Sequence, residues 1–284
     1  MNPDVLNTIL GVSLLVFVIS SMLAMGLSLT IGQIVAPLKN GRLVVFALVA
    51  NFIVVPLLAW GLAKALGLDD GLTIGLILMG TAAGAPFLPK LGEVAKGNIA
   101  FSVGLMVMLM VITVIYMPIV LPLVIAGVEV DARDIASSLI FLMLLPLAIG
   151  LTMKALWDDL AVRLQPLMGT LSSVAIALLL VSGVVANWSS IVGIIGTGGL
   201  AAILAFLAGS FVVGYFGGGS DPGIKSVLGL GTAQRNLSAA FVVALQNFSD
   251  NTNVLTMVIV GGMVGLAILM PLAAQLGKKQ PTAD

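Results

Sequence analysis

Residues 5–38 contain no charged side chain, and a second such run separates Asp134 from Lys154. About 20 apolar residues are enough to cross a hydrocarbon core of about 30 Å as an α-helix. Outer-membrane barrels are excluded, because their strands alternate polar and apolar residues in segments of about ten, whereas these runs are continuous. Composition agrees: 60% of the 284 residues are hydrophobic, 8% are charged, and the mean hydropathy is +1.22. Twelve cations and twelve anions are too few to cover a water-facing surface. The expected fold class is an all-α membrane protein in one polytopic domain.

The chain has no Cys and no His, so disulfides, thiolate nucleophiles and the usual zinc sites are not expected. No metal ligand set or cofactor motif is visible. Zero net charge and the lack of a basic stripe give no reason to expect a nucleic-acid partner. Met1, Asn2, Pro3 and Asp4 form no basic leader, and the first apolar run exceeds a signal-peptide core, so it is read as a permanent span.

Turn residues and charges divide the chain into nine expected spans, at about 5–31, 43–66, 71–96, 98–126, 134–156, 166–187, 190–217, 224–248 and 253–275. Alternate connections differ in cations. One set carries Lys39, Arg42, Lys96, Lys154, Arg163, Lys225, Lys278 and Lys279; the other carries Lys64 and Arg133. Cation-rich loops stay cytoplasmic, which places the N-terminus outside and the tail at 276–284 inside, in an inner or plasma membrane. Lys90 and Arg235 belong to neither set, because both fall within apolar spans.

The third and eighth spans resemble each other. Gly80, Thr81 and Ala82 match Gly231, Thr232 and Ala233, with an offset of 151. Asn98 matches Asn253 and Met117-Pro118 matches Met270-Pro271, with offsets of 155 and 153. A further likeness between residues 23–29 and 147–153 has an offset of 124 and breaks that register. The eighth span is five steps beyond the third, an odd number, so the copies would run in opposite directions. Inverted repeats around discontinuous helices, with a site near the midplane, are the architecture of secondary transporters. Pro86 and Pro89 predict the first break, since each removes a backbone N–H. Gly229 and Gly231, followed by the polar triplet Gln234, Arg235 and Asn236, predict the second. Kinked packing helices are the plainer alternative.

Arg235 lies about ten residues, or roughly 15 Å, from either end of its span. A midplane charge reads as functional by default, with a carbonyl clamp or ion pair as the structural alternative. Lys90 is nearer an end, where it could snorkel or pair with Glu93 one turn on. Facing the breaks together, the two would suit a carboxylate or similar anion. Gln234, Asn236, Thr232, Thr81 and Ser102 complete the candidate substrate-binding or coupling set.

Residues 95–104, the segment 225–248 with Gln234, Arg235, Asn236, Asn247 and Phe248, and residues 25–29 resemble motifs of the bile acid:sodium symporter superfamily. The resemblance implies a panel domain (about 1–42 and 134–187) beside a core domain (about 43–133 and 188–275) holding two crossed broken helices. It implies the nine-span variety that lacks a first helix, and a small organic anion bound between the domains. It implies a carrier; a monomer in the lipid bilayer is expected, and with no paired carboxylates or metal ligands at membrane depth an enzyme is not. Departures concern sodium. Gly229, Leu230 and Gly231 stand where a glutamate is expected, Leu88 and Pro89 replace a serine-asparagine pair, and Met106 replaces a threonine beside Ser102. The expectation is therefore sodium-independent transport of the anion by alternating access, with Lys90 and Arg235 supplying the charge and sodium disfavoured as a cofactor. Sodium-coupled symport through a non-standard site, and a ligand sensor that transports nothing, are the alternatives; a channel or an intramembrane enzyme fits less well.

Overall fold

The computed structural model describes residues 3–35, 39–125, 132–186 and 188–280, and every regular element among them is helical. The expected connections at 37–38 and 129–131 and the last four residues of the tail lie outside the described residues. Helix α1 (Pro3–Ser28) is followed by the short α2 (Ile31–Val35). Then come α3 (Gly41–Ala65), α4 (Asp70–Thr81), α5 (Leu88–Val94) and α6 (Ile99–Val124). The second half holds α7 (Ala132–Leu156), α8 (Asp158–Ala186), α9 (Trp188–Gly193) and α10 (Gly199–Gly217). It ends with α11 (Pro222–Ala233), α12 (Leu237–Asn247) and α13 (Thr252–Lys278).

Among the described residues, seven helices are long and apolar enough to cross a membrane: α1, α3, α6, α7, α8, α10 and α13. Their outward faces are apolar, with Leu123, Phe141, Val181 and Phe216 more than half exposed. Such a surface is a liability in water and a match for lipid. The chain is an integral membrane protein.

Two boundaries differ from expectation. The sixth span, expected from 166, starts at Asp158 with only Trp157 separating it from α7. Asp158 and Asp159 read as loop residues in the sequence, but acidic side chains in a first turn favour the helix macrodipole. Asp158 also pairs with Lys154 at 2.5 Å. The seventh span, expected from 190, is interrupted by a 3₁₀ turn and by Gly198 in the left-handed region (φ +80°), so the long helix starts at Gly199.

Corresponding helix starts carry corresponding caps. Asp69 accepts from the Leu72 N–H at 2.9 Å and Asp221 from the Ile224 N–H at 3.0 Å, so α4 and α11 begin alike. Asn98 accepts from the Phe101 N–H at 2.9 Å, and Asn251 from the Asn253 N–H at 3.1 Å, so α6 and α13 each begin on an Asn cap.

Proline shapes α3 and α7 in one way. Each carries a π-helical turn, residues 50–54 and 140–144, just before Pro56 or Pro146. Pro56 has no N–H to give the Phe52 carbonyl, and the Tyr116 hydroxyl of α6 donates to that carbonyl instead, at 2.6 Å. Tyr116→Phe should leave it unsatisfied and lower stability by about 1–2 kcal/mol, read as the melting temperature of purified protein in detergent. No change would mean that the bond is incidental.

Helix α1 packs on α7 and α8, α11 on α10, and α4 on α13. At the α1–α7 crossing Gly26 and Gly150 face each other: a Cβ on Gly150 would lie 2.8 Å from the Gly26 Cα. Any side chain at either position would force the helices apart.

Candidate functional site

Four short helices form two interrupted segments. Between α4 and α5 the chain is non-helical at 82–85 and turns at Pro86 and Phe87. Pro89 opens α5, where its missing N–H costs nothing. Between α11 and α12 the helix stops at Ala233, and Gln234, Arg235 and Asn236 are non-helical. Gly229 and Gly231 therefore do not make the break; both lie inside α11. A Cβ on Gly229 would press on Phe211 and Tyr215, and one on Gly231 on Leu88. They are there for close packing, a role that composition alone does not distinguish from helix breaking.

The two interruptions meet and complete each other's hydrogen bonding. The Asn236 N–H donates to the Ala82 carbonyl at 2.9 Å, and its carboxamide N–H to the Gly84 carbonyl at 3.1 Å. The same carboxamide oxygen caps α12 by accepting from the Ala239 N–H at 3.2 Å. Thr113 of α6 closes the first break from behind. Its hydroxyl donates to the Ala83 carbonyl and accepts the Ala83 N–H, both at 3.0 Å. Gly84 has φ +78° and lies against the Met110 backbone.

Arg235 is 3% exposed and spends its guanidinium on this junction. Nε donates to the Met79 carbonyl at 2.8 Å and Nη2 to the Gly80 carbonyl at 2.8 Å. Nη1 donates to Asn51 Oδ1 at 2.9 Å and to the Thr232 carbonyl at 3.0 Å. Asn51, on the π-turn of α3, also donates to the Ala47 carbonyl and to Thr232 Oγ1. The carbonyl clamp named as the alternative is thus the arrangement present. Asn51 was missed by sequence reasoning, although a lone carboxamide deep in an apolar run is the same kind of signal that marked Arg235.

The remaining candidates separate. Lys90 is exposed and pairs with Glu93 at 2.9 Å. Ser102 is buried and donates to the Ile99 carbonyl of its own helix at 2.7 Å. Thr81 donates to the Ile77 carbonyl and borders an outer cleft beside Trp60 and Tyr116. Thr232 and Asn236 belong to the junction.

A cavity of about 530 Å³ lies between the interruptions and the faces of α1 and α8. Ala85, Pro86, Pro89, Lys90, Gln234 and Arg235 form its junction side, with Phe17, Met25 and Ile176 across from them. Among the described residues, Lys90 and Arg235 are the only charged ones in its lining, and no carboxylate lines it. Gln234 lines the cavity and is 5% exposed, and among the described residues the buried Ser238 hydroxyl four residues on has no hydrogen-bond partner. Ser238 carried no signal in the sequence. Phe87 and Met106 also line the cavity, while Phe101, Met110 and Phe241 are core and Met108 packs against it.

A profile of the sodium bile acid symporter family matches residues 15–194, more than half of the chain. The chain belongs to that family. Similar relatives include a probable chloroplastic sodium/metabolite cotransporter, BASS3, of Arabidopsis thaliana. It is 26% identical over 196 residues, covering 69% of this chain and 46% of the relative. Another, BASS2 of rice, is 30% identical over 155 residues, covering 53% of this chain and 37% of the relative. An uncharacterized sodium-dependent transporter of Bacillus subtilis, YocS, is 28% identical over 166 residues, 57% of this chain and 52% of its own. The matched part thus spans 37–52% of the length of these relatives. All are transporters by name.

Proposed function

We propose that this chain is a secondary transporter that moves a small organic anion across an inner or plasma membrane by alternating access, without sodium. The cavity between the paired interruptions and the α1–α8 face carries this reading, because among the described residues no carboxylate lines it and Lys90 stands at its rim. In the proposed architecture α4–α5 and α11–α12 each make one discontinuous crossing, for nine in all. The matching Asp caps, the matching Asn caps and the Met-Pro pairs of α6 and α13 support an inverted repeat. Helices α1, α7 and α8 form the panel, the others the core, and the N-terminus faces outside as loop cations favour.

The polar end of the substrate meets Gln234, Ser238 and the rim cation Lys90, while its apolar body lies against Phe17, Met25, Phe87 and Met106. A carboxylate or sulfate with a hydrophobic body suits such a lining, which joins a few polar groups to an apolar wall. Sodium coupling is the second reading, favoured by relatives that are named as sodium-dependent transporters or sodium/metabolite cotransporters.

Uptake of radiolabelled organic anions into proteoliposomes, found first by a thermal-shift screen, tests both. Expected uptake is equal with sodium or potassium outside, and Gln234→Leu combined with Ser238→Ala raises KM about tenfold, the equivalent of one lost hydrogen bond. Uptake that collapses when sodium is replaced would establish the second reading. Binding without uptake would make the protein a sensor.

A further inference from the structure

The oxygens around Arg235 come from three elements: the Met79 and Gly80 carbonyls at the end of α4, the Thr232 carbonyl at the end of α11, and the Asn51 carboxamide of α3. Two of these carbonyls are free because the N–H four residues on is engaged elsewhere. The Ala83 N–H goes to Thr113, leaving the Met79 carbonyl, and the Asn236 N–H goes to Ala82, leaving that of Thr232. The last carbonyls of a helix have no partner within it and carry the negative end of its dipole. Two helix C-termini therefore converge on one buried point, and the hydrogen bonds give that point no carboxylate. Rings of backbone carbonyls of this kind can replace the hydration shell of a monovalent cation.

We infer that Arg235 is a tethered cation filling a site that a free monovalent cation can occupy, and that removing its side chain opens that site. In the intact protein Arg235 positions the two interruptions and does not touch the substrate. Its four N···O distances of 2.8–3.0 Å, spread over three nitrogens of one plane, match a guanidinium fork. In Arg235→Ala the preferred occupant is therefore guanidinium or a short alkylguanidinium, with potassium and sodium weaker. This deepens the sodium-independent reading above, but its main readout involves no cargo, so it stands or falls separately from transport.

The test is thermal unfolding of purified wild type, Arg235→Ala and Arg235→Met in choline chloride. Guanidinium, ethylguanidinium, potassium or sodium is added at low millimolar concentration, far below denaturing levels. Arg235→Ala should melt below wild type and recover saturably with guanidinium, by about 3–5 °C at ten times the dissociation constant. The alkali cations should recover less. Wild type should not respond, and neither should Arg235→Met, whose side chain fills the volume without charge. Rescue that distinguishes guanidinium from choline is something a merely structural arginine would not produce.

An Arg235→Ala protein that ignores every cation overturns the inference, and so does an Arg235→Met protein as stable as wild type. If Arg235→Ala accumulates only when guanidinium is present during extraction, that supports it. Failure to accumulate with or without guanidinium, while Arg235→Met accumulates, also overturns it. In vesicles, uptake by Arg235→Ala should depend on added guanidinium where the wild type does not.

Discussion

Arg235→Met is expected to lower the melting temperature steeply and to abolish uptake, even though the cavity keeps its size and its apolar wall. The substitution leaves the Met79, Gly80 and Thr232 carbonyls and the Asn51 carboxamide without their shared donor. Hydrogen bonds to a charged group contribute about 1.5–3 kcal/mol each, and they are not additive when one group makes them all. A net loss on the order of 3–5 kcal/mol follows, which for a chain of this size is a drop of about 10 °C. Thermal unfolding and vesicle uptake of the same preparation check it. Were Arg235 instead an anchor for the anion, the variant would keep its melting temperature and show only a raised KM.

Gly84→Val should prevent the protein from reaching its folded state. At φ +78° a side chain with a branched β-carbon is strained by roughly 1–3 kcal/mol before any contact is considered. The Cβ would also overlap the backbone of Met110 and the Leu109 carbonyl carbon, and backbone within a long helix cannot move aside. A shift of residue 84 would drag its carbonyl from Asn236 and undo the junction. Fluorescence-detected size exclusion of the tagged protein should show aggregate in place of a monodisperse peak. Gly219 is the control. Its φ is +70°, but a Cβ added there would meet nothing within 4 Å, so Gly219→Val should cost only the backbone strain.

Much of this arrangement is legible in the residues, and the exceptions have physical causes. Charge-free runs locate the long helices because burial in lipid leaves no alternative for them. Arg235 and its neighbours mark the second interruption because three polar side chains in an apolar run must converge on something. Gly229 and Gly231 mislead because a missing Cβ serves close packing and helix breaking equally. Lys90 sits in an apolar run yet is exposed, since only one face of a seven-residue helix points inward.

The likeness of residues 23–29 to 147–153, set aside because its offset broke the repeat, has a spatial reason. It places Gly26 and Gly150 at the point where α1 and α7 touch backbone to backbone. Sequence alone could not show that Arg235 is consumed by carbonyls. That depends on which N–H groups Thr113 and Ala82 have already taken, and these are contacts between distant parts of the chain.

The bonds across the junction join residues 152 to 156 positions apart. On a ribosome adding about 5–20 residues each second, the Met79, Gly80 and Gly84 carbonyls precede their donors by on the order of 10–30 s. For that interval the first interruption has no protein partner for these groups at membrane depth, where an unpaired carbonyl is costly. The early half must therefore wait near the insertion machinery or at the water boundary until residue 236 emerges. Closure of the junction depends on the arrival of two residues, Arg235 and Asn236, late in synthesis.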